Sequence, residues 1–158
     1  MNIIKTDTPL WTWKHLEHYE KYRNVYGLEL TSAIIEQEIN LLERGFPSRR
    51  YSPETECFDI YTKVGELAGD ITLAHGNQIS EVSIVIFDQY SGRGYAKRAL
   101  AALISLSQSK FKTIEAVIKS TNPDANAARR ILEREGFVFK FMLPSGGLLF
   151  ALDFSDGQ

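Results

Sequence analysis

Hydrophobic spacing changes along the chain, and each change marks a different kind of element. In the first third, apolar residues recur at helical spacing. Thr12 to Tyr26 is an aromatic-rich run broken at Gly27, and Thr31 or Ser32 can cap a second helix with Ile35, Ile39 and Leu42 on one face. Gly45 and Pro47 stop that helix, and Ser48 to Glu56 reads as loop, so residues 1–56 are expected to be mainly helical. From Phe58 the period shortens. Phe58 to Thr62, Leu67 to Ala74 and Ile79 to Phe87 read as strands, with turns at Lys63-Val64-Gly65-Glu66 and Gly76-Asn77. Such short connections predict an antiparallel meander.

Helical spacing returns from Ala96 to about Ser109, with Ala99, Leu103 and Leu106 on one face. Thr113 to Lys119 reads as a strand. Asn122-Pro123-Asp124 opens another helix, with Ala128, Ile131, Leu132 and Glu135 in register and Gly136 as its C-cap. Phe137 to Leu143 and Leu148 to Phe154 form a closing hairpin across Pro144-Ser145-Gly146-Gly147. The expected order is ααβββαβαββ, an α+β domain with a mixed sheet. The 158 residues fit one domain, with no internal repeat or linker.

Composition narrows the classes of partner. A formal net charge of −2 gives no global basic field for nucleic acid or an anionic membrane surface. No apolar stretch approaches the roughly 20 residues that span a bilayer, and the N-terminal residues lack the apolar core of a signal peptide. The one cysteine, Cys57, excludes an intrachain disulfide and a multi-cysteine metal site, which suits a reducing cytoplasm. His15, His18 and His75 lack metal spacing as a set, so no metal is expected. Cys57 has no histidine close in sequence to activate it and reads as a buried strand residue. Trp11, Trp13, Tyr19, Tyr22 and Tyr26 read as packing for the first helices, with one wall of an acceptor pocket as the alternative.

The chemistry concentrates between the third strand and the helix after it, in Gln89-Tyr90-Ser91-Gly92-Arg93-Gly94-Tyr95-Ala96-Lys97. Two glycines let backbone approach a ligand, and the unpaired N–H groups at the helix start can hold an anion. The loop has no Gly-Lys-Ser/Thr ending, so it is not a P-loop. Lys97 stands where a dinucleotide fingerprint needs a small residue, and the strands before it are hairpin-linked rather than βαβ.

The pattern Gln89-x-x-Gly92-x-Gly94-x-Ala96 after a strand resembles the acyl-CoA pyrophosphate loop of the GNAT superfamily of N-acyltransferases. NPDANAARRILEREGF, from Asn122 to Phe137, looks like that family's second cofactor segment. FDIYTKVGELAGDITL, from Phe58 to Leu73, resembles the hairpin before the cofactor strand. The likeness covers roughly residues 55–142 and is closest to the branch of ribosomal-protein N-terminal acetyltransferases and related small-molecule acetyltransferases. It implies a single GNAT-like domain over 1–158, its sheet bulged and splayed at the cofactor strand. By resemblance, backbone near Val85 or Ile86 would polarise the acetyl-CoA thioester. Backbone of Gly92, Arg93, Gly94, Tyr95, Ala96 and Lys97 would hold the pyrophosphate beside Gln89, with Arg93, Lys97 and Arg98 adding charge. Asn122 and Asn126 would contact pantetheine, although Asn126 is one residue out of register with the family pattern.

The implied activity is direct transfer of an acetyl group from acetyl-CoA to a primary amine in a ternary complex. The amine must lose a proton, and Glu81, on an otherwise apolar strand, matches the position of an acidic residue common in this branch. Asp70 and Glu66 on the neighbouring strand are weaker candidates for that base. The tyrosine that many members use as general acid is expected at Leu132 and is absent. That absence, with the shifted Asn126, also fits an alternative: a non-catalytic acyl-CoA-binding regulatory module. The implied acceptor is a small-molecule amine or a peptide or protein N-terminus, and a homodimer is common in the family.

Overall fold

The computed structural model describes residues 1–7, 9–26, 30–48, 53–107 and 112–154. The break expected at Gly27, part of the loop expected from Ser48 to Glu56, and the helix end expected near Ser109 lie outside them. The described elements are β1 (Asn2–Thr6), α1 (Trp13–Lys21), α2 (Arg23–Tyr26), α3 (Ser32–Glu43), β2 (Thr55–Tyr61), β3 (Leu67–His75), β4 (Ile79–Ile86), α4 (Tyr95–Ser107), β5 (Thr113–Ile118), α5 (Ala125–Arg134), β6 (Val138–Met142) and β7 (Leu148–Asp153).

The strands form one seven-stranded sheet in the order β1-β2-β3-β4-β5-β7-β6. All neighbours run antiparallel except β4 and β5. The meander, the parallel step after the glycine loop and the closing hairpin are as the pattern predicts. The first strand is not. The stretch NIIKT has no strand partner nearby in sequence. It becomes a strand only because β2, more than fifty residues on, pairs with it from Asn2↔Tyr61 to Thr6↔Cys57.

Alternation along the strands assigns the two sheet faces. One carries Phe58, Ile60, Ile71, Leu73 and Val82 against Ala99, Leu100 and Leu103 of α4. Leu106, expected on that face, is 52% exposed, and Ile104 and Ser107 are buried instead. The other face carries Cys57, Asp59, Asp70, Thr72, Ser83 and Val85 and receives α1. There Trp11 stacks on Tyr19 with ring centroids 4.5 Å apart. Trp13, expected in the same aromatic group, is exposed.

The start of α1 is tied down by an unusual cap. The Thr12 side chain accepts from the His15 backbone N–H at 3.4 Å, and His15 Nδ1 accepts from the Thr12 backbone N–H at 3.0 Å. His15 thus fills the place that Glu or Gln takes in a capping box. With Nδ1 accepting, the proton sits on Nε2, which donates to Asp70 Oδ2 at 2.6 Å in the buried interior. This bond fixes α1 over the middle of β3.

Candidate active site

The sheet opens where β4 and β5 separate. Among the described residues they pair at Ile79↔Thr113, Ser80↔Ile114 and Glu81↔Glu115 only. Beyond that rung β4 runs on against β3 alone, and β5 against β7 alone. The splay that the resemblance implies is therefore present. The bulge it implies on β4 is not, because β3 and β4 stay in unbroken register from Gly69↔Ile86 to His75↔Ser80. The irregularity falls instead between Ile60 and Tyr61 on β2, opposite β3 near Gly69.

Backbone alternation shows which groups face the opening. The Phe87 N–H bonds the Ala68 carbonyl at 2.9 Å, and the Val85 carbonyl lies against Gly69, so residues 85 and 87 turn their polar groups to β3. Ile84 and Ile86 therefore turn theirs to the side where β5 has departed. Of the two positions expected to polarise a thioester, Ile86 presents its amide to the split. Val85 packs its side chain in the core.

Above the split, the chain makes a single turn of 3₁₀ helix at Asp88–Tyr90 and enters the glycine loop. Gly92 and Gly94 have φ of +73° and +81°, the left-handed region that favours glycine. Nothing lies within 4 Å of where a Cβ would project at either one, so ligand can approach the backbone closely. Helix α4 begins at Tyr95, and the first intrahelical bond runs from the Arg98 N–H to the Gly94 carbonyl. The amides of Tyr95, Ala96 and Lys97 precede it, and no acidic side chain occupies the first turn.

The flanking cations are arranged unequally. Lys97 is exposed. Arg98 donates to the Arg93 carbonyl at 3.1 Å and lies over the Tyr95 ring, while Arg93 lies over Tyr90. Both arginines line a hollow with Thr62, Lys63 and Glu66, on the β3 side of β4 and away from the split. Gln89 is exposed beside the loop. On the β5 side, Asn122 uses its side-chain oxygen to accept from the Asp124 N–H at 2.8 Å, which makes it a turn former. Asn126 is exposed in the first turn of α5. Leu132 is buried and belongs to the core.

A family model for the acetyltransferase (GNAT) domain matches residues 5–138. The chain belongs to the GNAT acetyltransferase family. A spermidine N-acetyltransferase mutant from Vibrio cholerae shares its fold at a TM-score of 0.65 and 14% identity, over 98% of this chain and 96% of that one. The ribosomal-protein-S18-alanine N-acetyltransferase of Escherichia coli matches at 0.64 and 15%, over 99% and 96%. The ribosomal-protein-S5-alanine acetyltransferase of Vibrio fischeri matches at 0.62 and 13%, over 92% and 87%. The branch named on sequence grounds is thus represented among proteins of this fold. No curated protein sequence matches the chain.

Within this GNAT fold the candidate bases differ sharply. Glu81 is exposed on the last rung where β4 and β5 still pair, on the face that α1 covers only further along. Asp70 is 2% exposed and accepts from His15, so it serves α1 rather than solvent. Glu66 accepts from the Tyr90 hydroxyl at 2.5 Å, on the far side of β3 from the split. His75 contacts Ser80 and Glu56, each at 2.9 Å, at the other end of β3. Lys5 and His75 beside Glu56 outweigh its burial and hold that carboxyl below its ordinary value. Cys57 is buried, and burial pushes its thiol up, which suits packing rather than nucleophilic chemistry.

Sequence spacing did not bring His18 and Tyr26 together. Their side chains meet on the α1 face, Nε2 to hydroxyl at 3.3 Å. His15, His18, Tyr19 and Tyr22 recur three and four residues apart and so share a helical face, whereas Tyr26 follows on α2. What that face would meet could not be read from spacing.

Proposed function

We propose that this protein is an acetyl-CoA-dependent N-acetyltransferase, moving an acetyl group to a primary amine by direct transfer in a ternary complex. The observation that carries this reading is the β4–β5 split beneath a positive-φ glycine loop that opens onto the amides of α4. A split sheet admits a long thin arm to backbone hydrogen-bonding groups, and the helix start accepts its phosphates.

In this reading, the amides of Gly92, Arg93, Gly94, Tyr95, Ala96 and Lys97 cradle the pyrophosphate beside Gln89. Val85 and Ile86 line the acyl end, with the Ile86 N–H polarising the thioester carbonyl as charge builds on its oxygen. Asn122 and Asn126 border the pantetheine arm. Glu81 takes the first proton from the arriving ammonium through a chain of waters. It lies four residues from Val85, roughly 13 Å along the strand. The acceptor is a small amine or a peptide or protein N-terminus. Asp59, Glu81 and Glu115 share one sheet face, which supports a cationic acceptor.

Isothermal calorimetry with acetyl-CoA and CoA tests the donor half, and sub-millimolar binding is expected. Thiol release with a panel of primary amines tests the transfer. Glu81→Gln is expected to lower turnover by ~100-fold with little change in acetyl-CoA affinity. Leu132, buried where a tyrosine is expected, favours a second reading as a non-catalytic acyl-CoA-binding module. Tight CoA binding without thiol release for any amine, in wild type and Glu81→Gln alike, would establish that reading instead.

A further inference from the structure

Lys5, Lys21, Arg23, Arg129 and Lys140 each meet a carboxylate oxygen within ion-pair distance. Lys63, Arg93 and Arg98 do not, and no ion pair joins any of them to a described residue. Yet all three line one hollow of about 280 Å³, between the β2–β3 turn and the first turn of α4. Like charges gathered around one concave surface repel each other and focus a positive field into it.

The carboxylate in the hollow does not balance them. Glu66 accepts from the Tyr90 hydroxyl at 2.5 Å, and that hydroxyl accepts from Lys14 Nζ at 3.2 Å. Lys14 lies outside the hollow and supplies the counter-charge to Glu66 through Tyr90. Lys63, Arg93 and Arg98 remain as surplus positive charge.

The backbone beneath Lys63 is fixed, and aromatic rings hold the arginines. Three bonds close the β2–β3 turn: Thr62 N–H to the Glu66 carbonyl at 2.9 Å, Gly65 N–H to the Thr62 carbonyl at 3.0 Å, and Glu66 N–H to Thr62 Oγ1 at 3.1 Å. Arg98 donates from one nitrogen to the Arg93 carbonyl, and its guanidinium lies 5.0 Å from the Tyr95 ring centre. The Arg93 guanidinium lies 6.0 Å from the Tyr90 ring centre. The two rings meet edge to face at 6.2 Å, so the arginines flank one aromatic wall. Each guanidinium keeps N–H donors that no described residue takes.

We propose that this hollow binds the phosphate group of a small phosphate monoester, a molecule distinct from the acyl-CoA cofactor. Three cations on different elements need an acceptor whose oxygens point several ways. Phosphate offers three acceptor oxygens and up to two charges, whereas a carboxylate offers two oxygens in one plane and one charge. The volume lies below the ~300 Å³ at which pockets for drug-sized ligands begin. The rest of the molecule is therefore a few carbon atoms and not a nucleoside. The hollow also lies on the β3 side of β4, away from the split that faces β5.

Occupancy reaches the glycine loop through Arg93, whose side chain lines the hollow while its backbone stands between Gly92 and Gly94. Two anions on either side of one arginine share its field. Each therefore weakens the other, and the coupling is reciprocal. Binding in the hollow stands apart from the acetyltransferase reading, and only the coupling to acetyl-CoA rests on it.

Isothermal calorimetry on the full chain, saturated with CoA to fill the glycine loop, measures binding of inorganic phosphate at constant ionic strength. One phosphate per chain is expected to bind saturably. Lys63→Glu and Arg98→Gln are each expected to weaken it by about tenfold or more. Lys63→Glu is expected to keep acetyl-CoA affinity within about twofold and to melt close to wild type. Saturating phosphate should raise the Kd for acetyl-CoA to a plateau, with both ligands bound. Binding that does not saturate, or that either variant retains in full, overturns the site. A Kd for acetyl-CoA that climbs without a plateau puts the phosphate in the glycine loop and also overturns it, while an unchanged Kd overturns the coupling. If wild type binds neither CoA nor acetyl-CoA, the acetyltransferase reading falls, and the same two variants titrated without CoA decide the hollow.

Discussion

Gly69 shows how much one side chain can decide. A Cβ there would sit 1.9 Å from the Val85 carbonyl oxygen and 2.9 Å from its carbon. Both are backbone atoms of the strand that borders the split, so the clash cannot be relieved by turning a side chain. Gly69→Ala is expected to destabilise the protein by on the order of 3 kcal/mol, read as a lower denaturant midpoint. It should also weaken acetyl-CoA binding by displacing β4. His18 makes a second prediction at this scale. Its folded pKa lies below the ordinary 6.5, so the unfolded chain binds the proton more readily. The stabilising contribution is present above the unfolded value and is lost as pH falls through the folded one. Thermal midpoints measured from pH 7 down to about 5 should therefore drop, and drop less in His18→Gln.

At the scale of elements, the glycine loop and α4 act as one unit. The loop has the backbone conformation that only glycine adopts freely, and the helix supplies amides without partners. Gly94→Ala places a methyl in open space at φ +81°. The folded state should lose only about 1–2 kcal/mol from the strained backbone. Acetyl-CoA affinity should fall by tenfold or more, about 1.4 kcal/mol, because the methyl projects where phosphate would approach. Calorimetry and a thermal melt on the same variant separate the two effects. A clasp at the near end of the same loop ties it to α1: Tyr22 donates to Asp88 Oδ1 at 2.6 Å, and Lys21 pairs with the other oxygen. The glycine loop and α1 are thus joined through one carboxylate, which Lys21 and Tyr22 hold below its ordinary pKa.

At the scale of the whole molecule, a ligand lying along the β4–β5 split would join the β1–β4 half of the sheet to the β5–β7 half. Among the described residues the halves meet at three rungs. Binding to the folded state alone adds about 2.7 kcal/mol of stability at a hundred times Kd. For a chain of this length that corresponds to a rise of roughly 5–10 °C in thermal midpoint. Scanning calorimetry with and without saturating acetyl-CoA checks it, and ATP at the same concentration should leave the midpoint unchanged.

The glycine loop and the elements on either side of it were legible from residue order alone. Strand, Gly92-x-Gly94 and helix start are consecutive in the chain, and turn chemistry and periodicity report on consecutive residues. The packing of the N-terminal segment on the sheet was not. β1 exists through pairing with β2, Asp70 is claimed by His15 across 55 residues, and Tyr26 reaches His18 through a change of helix. Spacing also misjudged Leu106, since nothing local tells which flank of a helix the sheet will cover. By itself the sequence determined the fold class, the glycine loop at a helix start and the family, because these rest on local backbone preferences. Only the tertiary structure decided where the sheet splits, which amide faces the split and which side chains stand over it. Those depend on strand pairing and helix packing between segments that the sequence holds far apart.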